Sequence, residues 1–346
     1  MIDAGADLYL LRPGDPDLAV RGPDAVDRLL LRVLAERPHP IAELVAAAAA
    51  AGLHVDEETV RGKLDALIGT GAVIAHQGPR VALRAPDHER FARQLPYLAE
   101  RGDPGLAQRR LRGKRVVVLG CGGLGTWSLA ALASLGVGSF VLVDDDTVEL
   151  SNLNRQILYG AADVGRGKAE LAARWVRVFD PEIDVRTVPA RISGPDTLEP
   201  LLAGADVLVH AADSPPYELE RWVNAACLQA GVPWIASAQS PPILKVGPLY
   251  VPGSTACFTC HERQLSRDHE LWPAVVRSRC ERPVVATTLG PASGLLGTFI
   301  GLQVLDLLTA SEQPATAGRA LLLDMRDLTS RFVAVERDPD CPACGT

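Results

Sequence analysis

A glycine-rich turn between a short apolar strand and a helix constrains this chain more than any other feature. Residues 116–119 form a β-branched apolar run of the kind buried in a parallel sheet, and residues 127–135 are typical of a helix before a second strand at 140–143. The turn follows the G-x-G-x-x-G pattern and contains Gly120, Gly122, Gly123 and Gly125. This βαβ unit predicts a Rossmann-like α/β fold that binds an anion, such as phosphate, at the helix N-terminus.

Charged and amide side chains follow the second strand closely. Asp144 closes that strand, where a carboxylate can accept hydrogen bonds from ribose hydroxyls, and Asn152, Arg155 and Gln156 come soon after. Lys168 follows in a further loop. A dinucleotide scarcely needs these cations, whereas a triphosphate carries about four negative charges and does need them. The pattern favours an ATP site; solvated surface charges and a nicotinamide dehydrogenase are the alternatives.

Four motifs follow one another along the chain: GCGGLG, VDDDTVELSNLNRQ, Lys168 and a strand that leads to Asp213. Together they resemble the ThiF/MoeB superfamily, the ubiquitin-activating-type adenylating enzymes, over about half the chain. Two further stretches, AADSPPYELERWVNAACLQAGVPWI and VGPLYVPGSTACFTC, are similar to the MccB-type branch, whose members adenylate a precursor peptide. The resemblance implies that the protein uses ATP and Mg²⁺.

The resemblance also implies roles for individual residues. Nucleotide binding would fall to the four glycines of the turn and to Asp144, Asp146, Asn152, Arg155, Gln156 and Lys168. Arg155, Lys168 and Asp213 would be catalytic, with Asp213 holding Mg²⁺ at the carboxyl end of its strand, unless it is an unpartnered surface carboxylate. Arg93 is similar to an arginine that reaches the triphosphate of the neighbouring subunit, so we expect a homodimer in which Arg93 is catalytic in trans.

Four of the seven cysteines form two Cys-x-x-Cys pairs, Cys257 with Cys260 and Cys341 with Cys344. In a reducing compartment such pairs suit a tetrahedral zinc ion, because two thiolates per tight turn can face one ion. Four sulfur ligands leave no position for water, so the predicted zinc site is structural. An accidental or redox-active pair is the alternative. His261 is superfluous as a ligand beside four cysteines.

Charge and hydropathy argue against several classes of function. The formal charge of −7 disfavours nucleic acid as the main partner. The N-terminal sequence MIDAGADLYL lacks a signal-peptide pattern. The longest apolar stretch, residues 295–308, is interrupted by polar side chains and is typical of a buried helix rather than a membrane span. We therefore expect a cytoplasmic protein with no membrane partner.

The chain is long enough for two domains. Residues 1–85 are predicted to form a winged-helix-like domain, residues 86–114 a polar and turn-rich linker, and residues 115–346 the adenylation domain with its zinc site. Within the first domain, strands at 8–12 and 18–21 precede three amphipathic helices. A hairpin formed by residues 72–75 and 80–84 would be the wing.

The third helix of the first domain is a poor surface for DNA. Its cations, Arg61 and Lys63, face the acidic residues Asp56, Glu58 and Asp65 among others. The resemblance implies instead that this domain binds the leader segment of a precursor peptide, which adds as a strand to its sheet edge. A purely structural or dimerising role is the alternative.

The stretch from Glu262 to Arg282 is charged and poor in apolar positions. The resemblance implies a mobile crossover segment that passes over the nucleotide. Cys280 lies within it, and related enzymes have a cysteine near this place that forms a covalent link. The longer spacing here from Cys280 to Pro291 argues against that role without excluding it. His210 is expected to be a core histidine rather than a catalytic base.

The residues and the resemblance together predict adenylyl transfer. The C-terminal carboxylate of a ribosomal precursor peptide would attack the α-phosphorus of Mg·ATP and release pyrophosphate, without a covalent protein nucleophile. The resemblance alone implies a C-terminal asparagine and a second transfer that yields a peptide–nucleotide conjugate through a phosphoramidate bond. The alternatives are activation of the Gly-Gly terminus of a sulfur-carrier protein and a leader-peptide carrier without catalysis.

Overall fold

The computed structural model divides the chain into two compact units. One comprises Met1–Ala82 and Arg93–Gly105, and the other comprises Leu83–Ala92 and Leu106–Thr346. The residues that the structure describes are 2–10, 17–36, 39–73, 75, 81–281, 287–310 and 313–345. The predicted linker is therefore shared between the two units.

The first unit opens with a small antiparallel sheet followed by helices. Its elements are β1 (Ile2–Asp3), β2 (Asp7–Leu10), β3 (Leu18–Arg21), α1 (Ala25–Leu34), α2 (Ile41–Ala50) and α3 (Glu57–Gly69). The strands pair in the order β1-β2-β3. Asp24 starts α1, because its carboxylate accepts hydrogen bonds from the backbone N–H groups of Val26 and Asp27. The helices pack around the buried side chains of Leu30 and Leu44.

The three helices and the two strands predicted for this unit are present. Of the predicted wing, residues 74 and 80 lie outside the described residues, and the described ones (72, 73, 75 and 81–84) are not in strands. The end of the first predicted strand also lies outside the described residues. The winged-helix assignment therefore stays a prediction.

The predicted linker is helical rather than turn-rich, which corrects the sequence interpretation. It contains α4 (Ala85–Phe91), α5 (Leu95–Ala99) and α6 (Pro104–Arg112). Ala107 and Leu111, one helical turn apart, are both buried. Arg112 of the basic cluster forms ion pairs with Asp87 and Asp180. Because few apolar residues recur at helical spacing among the many charged ones, the sequence pattern predicted a solvated connector instead of helices.

The second unit is built on an eight-stranded sheet. Its further elements are β4 (Arg115–Leu119), α7 (Gly123–Leu135), β5 (Ser139–Val143), α8 (Lys168–Phe179), β6 (Asp184–Val188), α9 (Pro195–Leu202), β7 (Val207–His210), α10 (Glu218–Ala230), β8 (Trp234–Ser240), β9 (Ile243–Tyr250), α11 (Phe258–Asp268), α12 (Trp272–Glu281), α13 (Gly290–Thr309), β10 (Arg319–Asp324) and β11 (Ser330–Ala334). The strand order is β11-β10-β9-β8-β7-β4-β5-β6. Strands β4 to β8 run parallel, and β9 to β11 extend the sheet antiparallel.

The parallel strands end at one edge of the sheet. Leu119, at the end of β4, pairs with Val143 of β5 on one side and with His210 of β7 on the other. Strand β4 thus lies at the switch point from which the chain winds outward in both directions, where ligands bind in open α/β sheets. The predicted Rossmann-like fold is confirmed, and its ligand edge lies beside the glycine turn.

The long apolar stretch forms α13, which packs against α7. In the described part of the chain, α13 is the helix long and apolar enough to cross a membrane, but 61% of its most apolar part is buried. A Cβ built at Gly297 would lie 2.4 Å from the Cβ of Trp127, and one at Gly301 would lie 2.9 Å from that of Ala131. Only glycine lets the two helices approach this closely, so α13 is a core helix.

Candidate nucleotide site and cysteine cluster

The glycine turn is tightly packed at both ends and open in the middle. Gly120 has a φ of +95°, and a Cβ there would lie 2.6 Å from the backbone nitrogen of Ala212. A Cβ at Gly125 would lie 1.9 Å from the carbonyl oxygen of Gly120. A Cβ at Gly122, by contrast, would approach among the described residues only Gln156, at 3.8 Å. The outer glycines are required by the packing, whereas Gly122 leaves the start of α7 open to a ligand.

Asp144 joins the glycine turn to the loop after β5. Its Oδ2 accepts a hydrogen bond from the backbone N–H of Cys121 at 2.6 Å, and its Oδ1 accepts one from that of Asp146 at 2.9 Å. Burial raises the pKa of Asp144, and the two N–H donors oppose that shift. Asp144 thus positions the turn, a role that the sequence did not predict. Its contact with ribose stays a prediction.

Lys168 starts α8 and lies against the same loop. Its Nζ is 2.8 Å from Oδ2 of Asp146, and its backbone N–H donates to the carbonyl oxygen of Asp146 at 2.9 Å. Lys168 is buried, whereas the carboxylate of Asp146 is largely exposed. Two residues predicted to bind nucleotide are therefore in direct contact, and the salt bridge fixes the ammonium group at the ligand edge.

Arg155 lies across the start of α7. A Cβ at Gly123 would lie 3.2 Å from Cδ of Arg155. The guanidinium Nη1 donates to the carbonyl oxygen of Ser151 at 2.9 Å. Nearby, the side-chain oxygen of the buried Asn152 accepts from the N–H of Glu149 at 3.1 Å and closes a tight turn. The fold therefore brings Arg155 to the glycine turn, as predicted, while Asn152 shapes the loop that carries it.

Gln156 is buried beside the turn with an unsatisfied amide. Its side chain is 2% exposed, and within the described ranges its Oε1 has no hydrogen-bond partner. Buried polar atoms are nearly always hydrogen-bonded in folded proteins. An unpaired amide oxygen at an anion-binding turn therefore fits a site that a polar ligand completes.

Tyr159 was not predicted from the sequence. Its hydroxyl lies 2.9 Å from the carbonyl oxygen of Cys121 and 3.1 Å from that of Lys168, and it can donate to either. Burial raises the pKa of Tyr159, so the hydroxyl stays protonated and able to donate. Tyr159 thereby links the glycine turn to the first residue of α8. The available signal was its position three residues after the end of the Asn-Arg-Gln motif.

The start of α13 also borders the site. A Cβ at Gly123 would lie 3.0 Å from Oγ of Ser293, and one at Gly290 would lie 2.7 Å from the carbonyl oxygen of Asn154. Ser293 Oγ is in turn 3.4 Å from Oε1 of Gln239. No local pattern reveals this arrangement, because Ser293 and the glycine turn meet only through the packing of α13.

Asp213 lies at the ligand edge, three residues beyond the end of β7. Its side chain is exposed, and the preceding residue, Ala212, packs directly on Gly120. An exposed carboxylate in this position offers the hard oxygen ligand that Mg²⁺ prefers. Arg93 is exposed in the first unit, and its contact with the triphosphate of a second subunit stays a prediction.

The four predicted zinc ligands converge. Sulfur–sulfur distances are 3.8 Å between Cys257 and Cys260, 3.7 Å between Cys257 and Cys341, and 3.5 Å between Cys260 and Cys344. All four sulfurs lie within 4.8 Å of one another. Tetrahedral zinc with Zn–S bonds of about 2.3 Å requires sulfurs about 3.8 Å apart. The donor set therefore fits a structural zinc ion, which would join the start of α11 to the segment around Cys341 and Cys344.

The two histidines near these sites, His261 and His210, are not placed to coordinate a metal ion. Nδ1 of His261 lies 2.7 Å from the hydroxyl of Tyr250, and burial lowers the pKa of His261 to about 3. His210 is 4% exposed and packs edge-on against Trp234. His261 thus bonds to a tyrosine rather than to the cysteine cluster, and His210 is a core residue, as expected.

Helices α11 and α12 occupy most of the segment predicted as a mobile crossover. The described part of that segment is helical except at residues 269–271, and Arg282 lies outside the described residues. A cavity of about 760 Å³ lies between these helices and α10, lined in part by Arg221, Trp272 and Cys280. Cys280 is exposed, with its sulfur 3.5 Å from the carbonyl oxygen of Pro216. This cavity contains none of the residues predicted to bind nucleotide, and a covalent role for Cys280 stays open.

The fold and the site together define a class of protein. A parallel sheet carries a glycine turn at its switch point, with an arginine, a salt-bridged lysine and an unsatisfied amide around it. This arrangement is typical of α/β proteins that bind a nucleotide through its phosphates.

The chain belongs to the ThiF family, whose model matches residues 91–343. It is 36% identical to the SAMP-activating enzyme E1 of Haloferax volcanii, over 77% of this chain and 92% of that protein. It is 33% identical to the sulfur carrier protein ThiS adenylyltransferase of Escherichia coli, over 69% of this chain and 88% of that protein. These comparisons confirm the resemblance to the ThiF/MoeB superfamily, and the protein is an adenylyltransferase.

The fold is also similar to a solved structure. Escherichia coli MccB in a crystal structure with ATP superimposes with a TM-score of 0.73 at 23% identity, covering 99% of this chain and 98% of MccB. The likeness to the MccB-type branch therefore holds for the fold along the whole chain.

Proposed function

We propose that this protein transfers AMP from ATP to the C-terminal carboxylate of a ribosomal precursor peptide. The observation that carries the proposal is the meeting of Arg155, Gln156 and Lys168 around one glycine turn. A triphosphate at the start of α7 would meet unpaired N–H groups, an unsatisfied amide and two cations. Such groups stabilise the negative charge that shifts onto pyrophosphate as it leaves.

The remaining residues complete the nucleotide site. Asp144 and Asp146 would face the ribose side of the nucleotide, and Asn152 would support the loop of Arg155. Mg²⁺ would be held by Asp213 and would neutralise phosphate charge. The zinc ion would be structural, because all four of its coordination positions are filled by sulfur.

The active unit would be a homodimer. Arg93 would reach the triphosphate bound by the partner copy and supply a third cation there. The support for this role is the resemblance of its segment to the corresponding arginine-rich segment of the superfamily.

The extent of each comparison favours a peptide substrate. The two curated relatives described above align with 77% and 69% of this chain, whereas the MccB structure covers 99% of it. One solved MccB structure is described as a complex with N-formylated MccA. We propose that the first unit binds the leader segment of a comparable precursor peptide, in the cytoplasm, and that a second nucleotidyl transfer gives a phosphoramidate-linked conjugate.

A sulfur-carrier substrate is the second candidate. It is favoured by the sequence identity of 33% to an enzyme named as a sulfur carrier protein adenylyltransferase. In that case the activated group would be a Gly-Gly terminus rather than the end of a short peptide.

ATP–pyrophosphate exchange tests both candidates. We expect exchange with precursor peptides encoded beside this gene, and mass spectrometry of the products would reveal any attached nucleotide. Exchange only with a Gly-Gly carrier protein would favour the second candidate. Absence of exchange with every peptide and carrier would contradict the proposed function.

A further inference from the structure

Lys245 differs from the other lysines of this chain. The chain has four lysines, and three of them lie close to a carboxylate oxygen: Lys63 at 2.6 Å from Asp24, Lys114 at 2.6 Å from Asp206 and Lys168 at 2.8 Å from Asp146. The side chain of Lys245, by contrast, forms no hydrogen bond or ion pair with any residue that the structure describes.

The environment of Lys245 disfavours an unpaired charge. The side chain is half-buried, and burial lowers the pKa of Lys245, which the charge of Glu220 only partly offsets. Removing an ammonium group from water without a partner is costly. The position is therefore suited to an anion that arrives with a ligand.

Lys245 projects from the face of the sheet that α10 covers. Its neighbours in β9, Leu244 and Val246, pack with residues of α13 on the opposite face, and side chains alternate along a strand. Lys245 has two cross-strand partners, Ala238 of β8, which is exposed, and Leu322 of β10, which is half-buried. The α10 face is thus open beside Lys245, where β8 reaches the carboxyl edge of the sheet.

Small and polar side chains surround this opening, and we call the group of Ala236, Ala238, Lys245, Glu220 and His210 the edge recess. Nε2 of His210 lies 3.8 Å from Oε1 of Glu220, and the Glu220 side chain is 28% exposed. Among the residues described, Nδ1 of His210 and Oε2 of Glu220 have no hydrogen-bond partner. Burial opposes ionisation of Glu220, but the contact with His210 lowers its pKa. The edge recess therefore contains side-chain atoms that can form hydrogen bonds with a ligand.

The edge recess opens at the same sheet edge as the nucleotide site. His210 ends β7, and the chain then passes through Ala212, which packs on Gly120, to Asp213. A cation here is near the place where an acceptor must meet the nucleotide, and it is not one of the cations assigned to the phosphates.

We propose that Lys245 binds the C-terminal carboxylate of the polypeptide substrate and holds it for attack on ATP. This inference rests on the proposed adenylyl transfer. One carboxylate oxygen forms a bond to the α-phosphorus. The bond between the α-phosphorus and the oxygen that bridges to the β-phosphate breaks, and its electron pair leaves with pyrophosphate. No proton moves. The ammonium group offsets the repulsion between the carboxylate and the triphosphate, which otherwise keeps two anions apart.

The test separates binding of the acceptor from binding of the nucleotide. The variants are Lys245→Met, Lys245→Gln and Lys245→Arg, with Lys114→Met as the matched control, because Lys114 precedes β4 at the opposite edge of the sheet. Each is assayed for ATP–pyrophosphate exchange with the peptide or carrier that the wild type uses. Each is also titrated with a magnesium-bound ATP analogue that cannot be cleaved between the α- and β-phosphates.

We expect Lys245→Met and Lys245→Gln to lose about 100-fold in exchange, the scale of removing one preorganised charge contact. Their affinity for the analogue should stay at the wild-type value, which also shows that they are folded. Lys245→Arg should keep part of the exchange, and Lys114→Met should keep all of it.

Full exchange in Lys245→Met, or an equal loss of analogue affinity in both neutral variants, would overturn the inference. If the wild-type protein shows no ATP–pyrophosphate exchange with any peptide or carrier tested, the proposed function is overturned, and this inference with it. The wild-type assay therefore tests the proposed adenylyl transfer, and the comparison of variants tests whether Lys245 binds the acceptor carboxylate.

Discussion

Several residues of the nucleotide site have a structural role as well as a chemical one. Asp144 accepts one backbone hydrogen bond from the glycine turn and one from the loop after β5, and Lys168 is fixed by Asp146. The sequence motif was sufficient to name these residues, because the family pattern is local. It could not reveal Ser293, which reaches the turn from α13, since that contact depends on tertiary packing.

Replacement of Tyr159 by phenylalanine tests the link between the glycine turn and α8. The change removes one buried hydrogen bond, worth about 1 kcal/mol, or about fivefold in an equilibrium constant. We expect the KM for ATP to rise by about that factor while the KM for the acceptor stays unchanged. A role limited to stability would lower the melting temperature and leave both KM values as they are.

Replacement of Asp213 by alanine or asparagine tests the magnesium site. Without a carboxylate ligand the metal is lost from the phosphates, so we expect exchange to fall by at least about 100-fold in both variants. Because Asp213 is exposed, the melting temperature should not change. Full activity in Asp213→Asn would remove this residue from the metal site.

Helices and strands were predicted correctly from the sequence where their pattern spans only a few neighbouring residues. The two strands of the βαβ unit and strand β7 were predicted to within one residue, because apolar runs bounded by glycines are short-range patterns. The helix between them begins at Gly123, four residues before its predicted start. Helices α4 to α6 were missed, since their few buried apolar residues are scattered among arginines. The Cys-x-x-Cys pairs were the strongest non-local signal, because their chemistry requires that distant segments meet.

The cysteine cluster gives a prediction for the closing segment of the second unit. Cys341→Ser should lose zinc, measured by metal analysis. A loss of about 3 kcal/mol, a small part of the energy of structural zinc binding, would lower the melting temperature by roughly 6–12 °C. Cys280→Ser is the matched control, because Cys280 is exposed and outside the cluster. It should keep both zinc and melting temperature, whereas equal effects of the two changes would contradict a structural zinc site.

At the scale of the whole molecule, the chain combines a unit of strands and helices with a larger nucleotide-binding unit. The proposed dimer would make each active site depend on two copies of the chain. Nothing in the sequence fixes this arrangement, since a single exposed arginine has no local pattern that distinguishes catalysis in trans from ordinary solvation.

Complementation tests the trans role of Arg93. Arg93→Ala and Asp213→Ala homodimers should each be nearly inactive. After the two are mixed so that subunits exchange, half of the dimers are mixed and each has one intact site, so activity should recover to about a quarter of the wild-type value. If Arg93 acted within its own chain, each subunit of a mixed dimer would still have one substitution in its own site, and no activity would return. A double variant gives the reciprocal result. A chain with both substitutions, mixed with wild type, should give mixed dimers with no intact site if Arg93 acts in trans, and with one intact site if it acts in cis.

The parallel and antiparallel parts of the sheet carry residues with different proposed roles. The groups that we assign to ATP follow the parallel strands β4, β5 and β7, whereas Lys245 and the chain leading to the cysteine cluster belong to the antiparallel extension. Changes in the extension can therefore alter which acceptor is recognised while the nucleotide chemistry is preserved. During evolution, enzymes with this fold can gain new acceptor substrates through substitutions in the antiparallel extension alone.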